Sequence, residues 1–320
     1  MTEMEVHGSQ TTIRSSKDEF STKSYNAVHG CLRCTCVGEY DHNGHKIVLD
    51  SVGAPLRTDA EFRSRVCVDH HQPWHTPLED LVQFDIVEDV PTSDRLHLCD
   101  LGATRKWLYG IWDGKFLTIP QLTSSQRDLL TNFCTSLRLP SEINRKTLDP
   151  MYMHKWKGSQ FRSFLHYGSV VVMEEILNSR AYNHLLLYFC ALTIYSTEFH
   201  RQHWNRASIF LDTYVRDFGG IFGREHLTSN IHNLQHVARD VLRYGPLDSF
   251  STYCFENYLG ILKRSVRSGF KCGVQIAARS EERADHHSFV PCVPDNIPDV
   301  TLWTCDIPDT ANLPLDRNFI

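Results

Sequence analysis

Residues 123–245 carry apolar side chains at helical spacing almost without interruption, and this run constrains the fold more than any other feature. Helices are expected near 158–178, 180–201, 203–218 and 226–244. An earlier one, capped at Ser124-Ser125, should run to Leu137 and stop before Pro140. Gly219-Gly220 and Gly245-Pro246 read as stops. The longest apolar stretch, Leu185 to Ile194, is shorter than the roughly 20 residues a membrane span needs. It reads as a buried helix, and no membrane partner is expected. With 41% hydrophobic and 22% charged residues among 320, the chain has the balance of an ordinary globular protein, with enough length for one large core or two smaller ones.

The flanks read differently. Residues 1–23 are polar and Ser-rich and are expected to be disordered. They lack an apolar core, so they are no secretory signal. An odd count of 11 cysteines then points to a reducing, intracellular compartment rather than to secretion and a disulfide framework. CTCVGEYDHNGHKIVLDSV holds two β-prone runs around Asn43-Gly44, a strong hairpin signal. Residues 54–90 are loop-rich. From Asp94 to Trp112 helical spacing returns with Leu98, Leu101, Trp107, Leu108 and Ile111, and another helix is expected from about Phe255 to Arg267. Residues 286–320, rich in Pro and Asp, read as an extended tail. Trp107, Trp112, Trp156 and Phe161 are expected to fill the core.

Two pairs have metal-ligand spacing. Cys31 and Cys34 form a Cys-x-x-Cys ahead of the hairpin, and His232 and His236 share a face at i and i+4. Together they make a candidate closed zinc site, with Cys36 as a rival thiolate. The remaining clusters, His70-His71, His75 and His286-His287, read as exposed loop or tail residues. A formal charge of −5 argues against DNA binding by the whole surface, so any DNA contact needs a local basic patch. Lys263, Arg264, Arg267 and Lys271 supply one candidate, with Lys155 and Lys157 a weaker one.

Three ordered blocks carry a family resemblance. They are HGCLRCTCVGEY followed by APLRTDAEFRSR, then SDRLHLCDLGATRKWLYGIWDGKF, then TSNIHNLQHVARDVLRYGPLDSFSTYCFENYLGILKRSVRSG. The chain resembles the DDE transposases of CACTA-like elements and their insect and vertebrate relatives, over roughly residues 24 to 283. The second block shares Asp94, His97, Leu101, Gly102, Lys106, Leu108 and Trp112 with the pattern of that group.

The resemblance implies a mixed α/β protein: a partial RNase H-like core, a large all-α insertion and a small Cys-bearing β-hairpin unit. The implied division is a disordered 1–23, a truncated core at 24–112, an insertion at 113–245, a core helix at 246–283 and a tail at 284–320. Asp94 matches the second acid of the triad, expected after a core strand, and Glu256 the third, on a later helix. They would ligate Mg²⁺ or Mn²⁺, which phosphodiester cleavage by two metals requires. His97 could orient Asp94 or ligate metal itself, and Asp100 is a nearby second carboxylate. Pairing of the Cys-x-x-Cys with histidines is also part of the implied pattern, and nuclear residence follows from the ancestry.

The first acid has no counterpart here. The family places it on an apolar strand ahead of the Cys block, where this chain reads MTEMEVHGSQTTIRSSKDEF. The expectation is therefore a transposase-derived protein inactive on its own, truncated at its N-terminal side. The alternatives are a domesticated DNA- or protein-binding module and a non-functional element fragment.

Overall fold

The computed structural model describes residues 21–143, 145–146 and 148–287. The described residues divide into two compact units, one ending at Asn257 and the other starting at Tyr258. Helix dominates the described residues, and their one sheet is a two-stranded hairpin. Strands β1 (Glu39–Asp41) and β2 (Lys46–Val48) pair antiparallel, with Tyr40 opposite Ile47. The Asp41 carboxylate accepts from the Gly44 amide at 2.6 Å, which is why the Asn43-Gly44 signal makes a turn here. Arg224 binds Glu39 at 2.6 Å and Asp50 at 2.7 Å, and the Leu49 amide donates to the Leu227 carbonyl, fastening this small unit to the helical body.

A short helix, α1 (Asp59–Arg63), follows, with a Thr58–Glu61 capping box. A π-helical segment (Arg95–Thr104) then runs directly into α2 (Arg105–Trp112). The central bundle comprises α3 (Ser124–Ser136), α4 (Gly158–Phe164), a π turn (Leu165–Ser169), α5 (Val170–Ile176), α6 (Ser179–Tyr195) and α7 (Trp204–Phe222). Next come α8 (Ser229–His232), a 3₁₀ turn (Asn233–His236) and α9 (Val237–Tyr244). Helices α10 (Tyr253–Ser265) and α11 (Cys272–His287) follow.

The helical region shares one core with the segments before and after it. Leu98, Trp107 and Ile111 belong to the same buried cluster as Leu192, Leu211 and Leu247. Each such side chain contributes about 1.5–3 kcal/mol by leaving water. Helices α6 and α7 pack most extensively, and Tyr188 stacks on Tyr214 at 5.0 Å between ring centroids. Trp107, Trp156 and Phe161 are buried as expected, and Trp112 packs half-buried against the same cluster.

Several expectations need correction. Helix α7 runs straight through Gly219-Gly220, because Phe218, Ile221 and Phe222 are all buried and reward its continuation. A Cβ at Gly219 would lie 2.8 Å from Leu227 Cδ1, so the glycine permits close approach and the helix ends at Gly223, with φ +105°. The cap of α3 is Thr123, which forms a box with Gln126, one residue before the expected Ser124. Among the described residues no strand lies between the hairpin and Asp94, and the sheet of an RNase H-like core is not among the described elements. Within the expected disordered N-terminus, Ser21 and Thr22 are buried and Thr22 bridges to His71; residues 1–20 lie outside the described residues. The expected tail at 284–320 begins as helix through His287, and the rest lies outside them too.

His70 and His71 are buried rather than exposed. His70 Nδ1 donates to the His29 carbonyl at 2.6 Å, and His71 Nδ1 accepts from Arg65 at 2.7 Å beside the Phe62 ring. Burial, with nearby Arg57, pulls His70 down to about 4, and burial with Arg65 does the same for His71. His75 is exposed and hydrogen-bonds to Asp80 at 2.9 Å.

Candidate metal centre and acid cluster

Two constellations emerge, both in residues 1–257. The first unites Cys31 and Cys34, on the loop before β1, with His232 at the end of α8 and His236 just ahead of α9. All four are buried, and their ligand atoms lie within 4.8 Å of one another. Cys31 Sγ is 3.4 Å from His236 Nε2, Cys34 Sγ is 3.3 Å from His232 Nε2, and the sulfurs are 3.5 Å apart. These are near the edge lengths of a tetrahedron with Zn–S of about 2.3 Å and Zn–N of about 2.0 Å. His232 Nδ1 lies 3.1 Å from the Gln235 side-chain amide, an outer contact that helps orient a ligating imidazole. The donor set therefore fits a closed structural zinc site, which supplies cross-linking and no open coordination position. Cys36 is buried beside the cluster but is not one of the four.

The electrostatics suit ligation. The Cys34 hydrogen bond, aided by His232 and His236 and opposed by burial, holds the Cys31 thiol well below its ordinary range. Burial disfavours charge on His232, but the hydrogen bond and charge of Cys31 raise it overall.

Arg33, inside the Cys-x-x-Cys, was not singled out by sequence. It is buried and pairs with the buried Asp240. It also donates to the Val87 carbonyl and, at 3.0 Å, to that of Val90. Asp240 Oδ2 accepts from the amides of Thr92 and Ser93, each at 2.9 Å. One buried ion pair thus ties the Cys loop, the His-bearing segment and the chain leading into Asp94. A charge between two ligand cysteines, with an acid four residues after His236 on the same helical face, was the available signal.

The second constellation surrounds Asp94, the N-cap of the π-helical segment. Its Oδ1 accepts from the Thr252 amide at 2.7 Å. Its Oδ2 accepts from the His97 amide at 2.7 Å, the His97 ring at 2.6 Å and the Thr252 hydroxyl at 2.6 Å. Burial would raise this carboxyl, but the His97 and Thr252 hydrogen bonds outweigh it and hold it below its ordinary value. His97 Nε2 lies 3.7 Å from Glu256 Oε1 on α10. The structure thus brings Asp94 and Glu256 to opposite nitrogens of one imidazole. They do not form a metal site with His97: among the described residues the Cys₂His₂ cluster is the only group of three or more potential ligands at metal-binding distances. With three protein donors on Asp94 Oδ2 and Glu256 at the opposite nitrogen of His97, this set lacks the shared, clustered carboxylates that a pair of Mg²⁺ ions needs.

Asp100 serves elsewhere. It is fully buried, and both its oxygens lie 3.2 Å from Arg95 Nε, while Tyr253 donates to it at 2.9 Å. Burial raises its carboxyl against the opposing pull of Arg95. Arg95 also donates to His166 at 2.6 Å, and burial with the charges of Arg95 and Arg162 drives His166 down to about 2, leaving a neutral acceptor. This network stabilises the wall of a cavity of about 1090 Å³, which His97, Tyr253 and Glu256 also line.

Lys263, Arg264, Arg267 and Lys271 all lie exposed in the second unit. No helix among the described residues is long and apolar enough to cross a membrane. No protein-family model, curated protein or solved structure matches this chain.

Proposed function

We propose that this chain is a DDE-type transposase-derived protein that has exchanged DNA cutting for a structural, DNA-binding role. In this reading one zinc ion held by Cys31, Cys34, His232 and His236 clamps the fold, and Asp94, His97 and Glu256 descend from the acid centre of an RNase H-like enzyme. Nuclear residence follows from that ancestry, and DNA contact falls to the local basic patch of Lys263, Arg264, Arg267 and Lys271. The three ordered sequence blocks support the descent, as does the meeting of two distant acid-bearing segments at His97.

The loss of cutting is carried by one observation. Asp94 accepts four hydrogen bonds from His97 and Thr252, three of them on Oδ2, and works as a helix cap and strap, with Glu256 held apart from it across the His97 ring. In-line phosphodiester cleavage needs carboxylates that face the metal ions. The test incubates the purified chain with an end-labelled DNA duplex and Mg²⁺ or Mn²⁺. No cleavage above background is expected; robust cutting abolished by Glu256→Gln overturns the reading.

A further inference from the structure

The large cavity beside His97 has a neighbour. A second cleft of about 430 Å³ lies across the same helical ridge, and His97, Leu101 and Arg105 line both. Four residues apart, these three occupy one face of the π-helical segment and the start of α2. The second cleft is walled by the hairpin, through Tyr40, His45 and Lys46, and by Ser229 and Asn230 of α8.

The charge of these walls departs from that of the chain. Lys46, Arg105, Arg145 and Lys157 line the two clefts, and none forms an ion pair among the described residues. The opposing carboxylates are Glu142 and Glu256, and the latter already faces His97. Arg162 also lines the larger cleft but is held by Asp248 in a two-pronged pair at 2.7 and 2.9 Å. The whole chain carries −5, so this cationic concentration is local. Arg105 is half-buried, and burial pulls its guanidinium down from its ordinary value, with no carboxylate at hand to offset the cost. An anion entering either cleft would supply that partner.

Aromatic side chains share the larger cleft with Arg105, Arg145 and Lys157. Tyr109, Trp156, Tyr167, Phe189 and Tyr253 line the larger cleft, and Tyr167 is 49% exposed. The cations lie on both sides of the ridge instead of converging on one point, which suits a succession of phosphates better than a single nucleotide. The aromatic rings can be used only by bases that are unstacked and turned outward. A duplex would offer the same cations its phosphates but withhold its bases.

We propose that the two clefts form one track for single-stranded nucleic acid, with phosphates on Lys46, Arg105, Arg145 and Lys157 and bases against Tyr167 and its neighbours. This rests on the clefts alone: a strand bound but left intact agrees with the proposed descent, and a strand bound and cut removes the proposed loss of activity without touching the track. It also differs from the patch at Lys263 to Lys271, which offers charge alone.

The experiment measures fluorescence anisotropy of the full-length chain with labelled oligo(dT) and oligo(U) of about 12 nucleotides, and with a duplex of the same length, across a salt series. Either single strand should bind at least about 10-fold more tightly than duplex. A preference for dT or U assigns the track to DNA or RNA, and equal affinity makes it indifferent to the sugar. The doubly substituted Arg145→Glu/Lys157→Glu chain should lose about 10-fold in affinity and lower the salt slope by about 1.4, at about 0.7 per phosphate contact on a single strand. Both residues are exposed, so thermal melting should match the parent chain. Tyr167→Ala should weaken binding about 5-fold or more, the equivalent of at least about 1 kcal/mol per stacked base, with the salt slope unchanged. Lys263→Glu/Arg267→Glu should preserve the preference for single strands. Failure to bind either strand, duplex binding as tight as single-strand binding, or parent-like affinity in the Arg145→Glu/Lys157→Glu chain would overturn the track.

Discussion

The Cys/His cluster and the acid cluster are built alike and finish differently. Each joins chain segments far apart in sequence, about 200 residues for the first and about 160 for the second. At the first, four donors converge with no nearer partner that completes their coordination, and a metal ion would satisfy them all. At the second, the protein's own amides, a hydroxyl and an imidazole already satisfy Asp94. Convergence of matching side chains is thus insufficient to define a metal site. What decides is whether the converging atoms face one another across a space an ion can fill, or are turned to the protein's own donors.

The widest gap between the two clusters should appear on removing a ligand. Cys34→Ser should abolish stoichiometric zinc binding, measured by elemental analysis, and lower Tm by at least about 10 °C, because metal-binding free energy at such a site is folding free energy. Cys36→Ser should retain the zinc. Equal zinc loss in both variants would remove the four-residue assignment.

Asp94→Ala should cost about 2–3 kcal/mol in urea unfolding, combining a lost helix cap with an orphaned Thr252 amide. The pH dependence has a definite sign. The folded carboxyl sits below its ordinary value of about 3.9, so its contribution is complete above that value and is lost as pH falls through the lower, folded one. Asp94→Asn should therefore flatten the loss of stability below about pH 4. An unchanged acid limb would show that the hydrogen bonds do not hold the charge.

Glu256→Gln should have the smallest effect, under about 0.5 kcal/mol, since the carboxylate is 43% exposed and only approaches His97. Added Mg²⁺ should leave the Tm of the parent chain unmoved. A Mg²⁺-dependent rise that Glu256→Gln removes would erase the distinction between the clusters.

The ligand set was legible because its spacings are local: Cys-x-x-Cys brings two sulfurs to one loop, and i, i+4 brings two imidazoles to one face. The helical periodicity from Leu98 to Ile111 and the Asn43-Gly44 turn were legible for the same reason. Thr252 was not, because its importance comes from a partner on a distant segment and a threonine before a helix carries no distinctive pattern. Asp100 reads in sequence like Asp94, and only Arg95 and Tyr253 around it show that it is structural. Gly219-Gly220 misled because tertiary burial of the flanking phenylalanines outweighs the local preference against glycine in a helix.

The Arg33–Asp240 pair has a bearing on how the chain reaches its native state. Its partners are 207 residues apart, so this contact and the ligand pairs it accompanies must wait for most of the intervening polypeptide to collapse. Once made, it holds the cysteine loop against the histidine segment whether or not an ion has arrived. At the proposed zinc site, metal capture would then be a late step onto an assembled cradle, and the rate of zinc uptake by freshly refolded protein should report on the completion of the helical body.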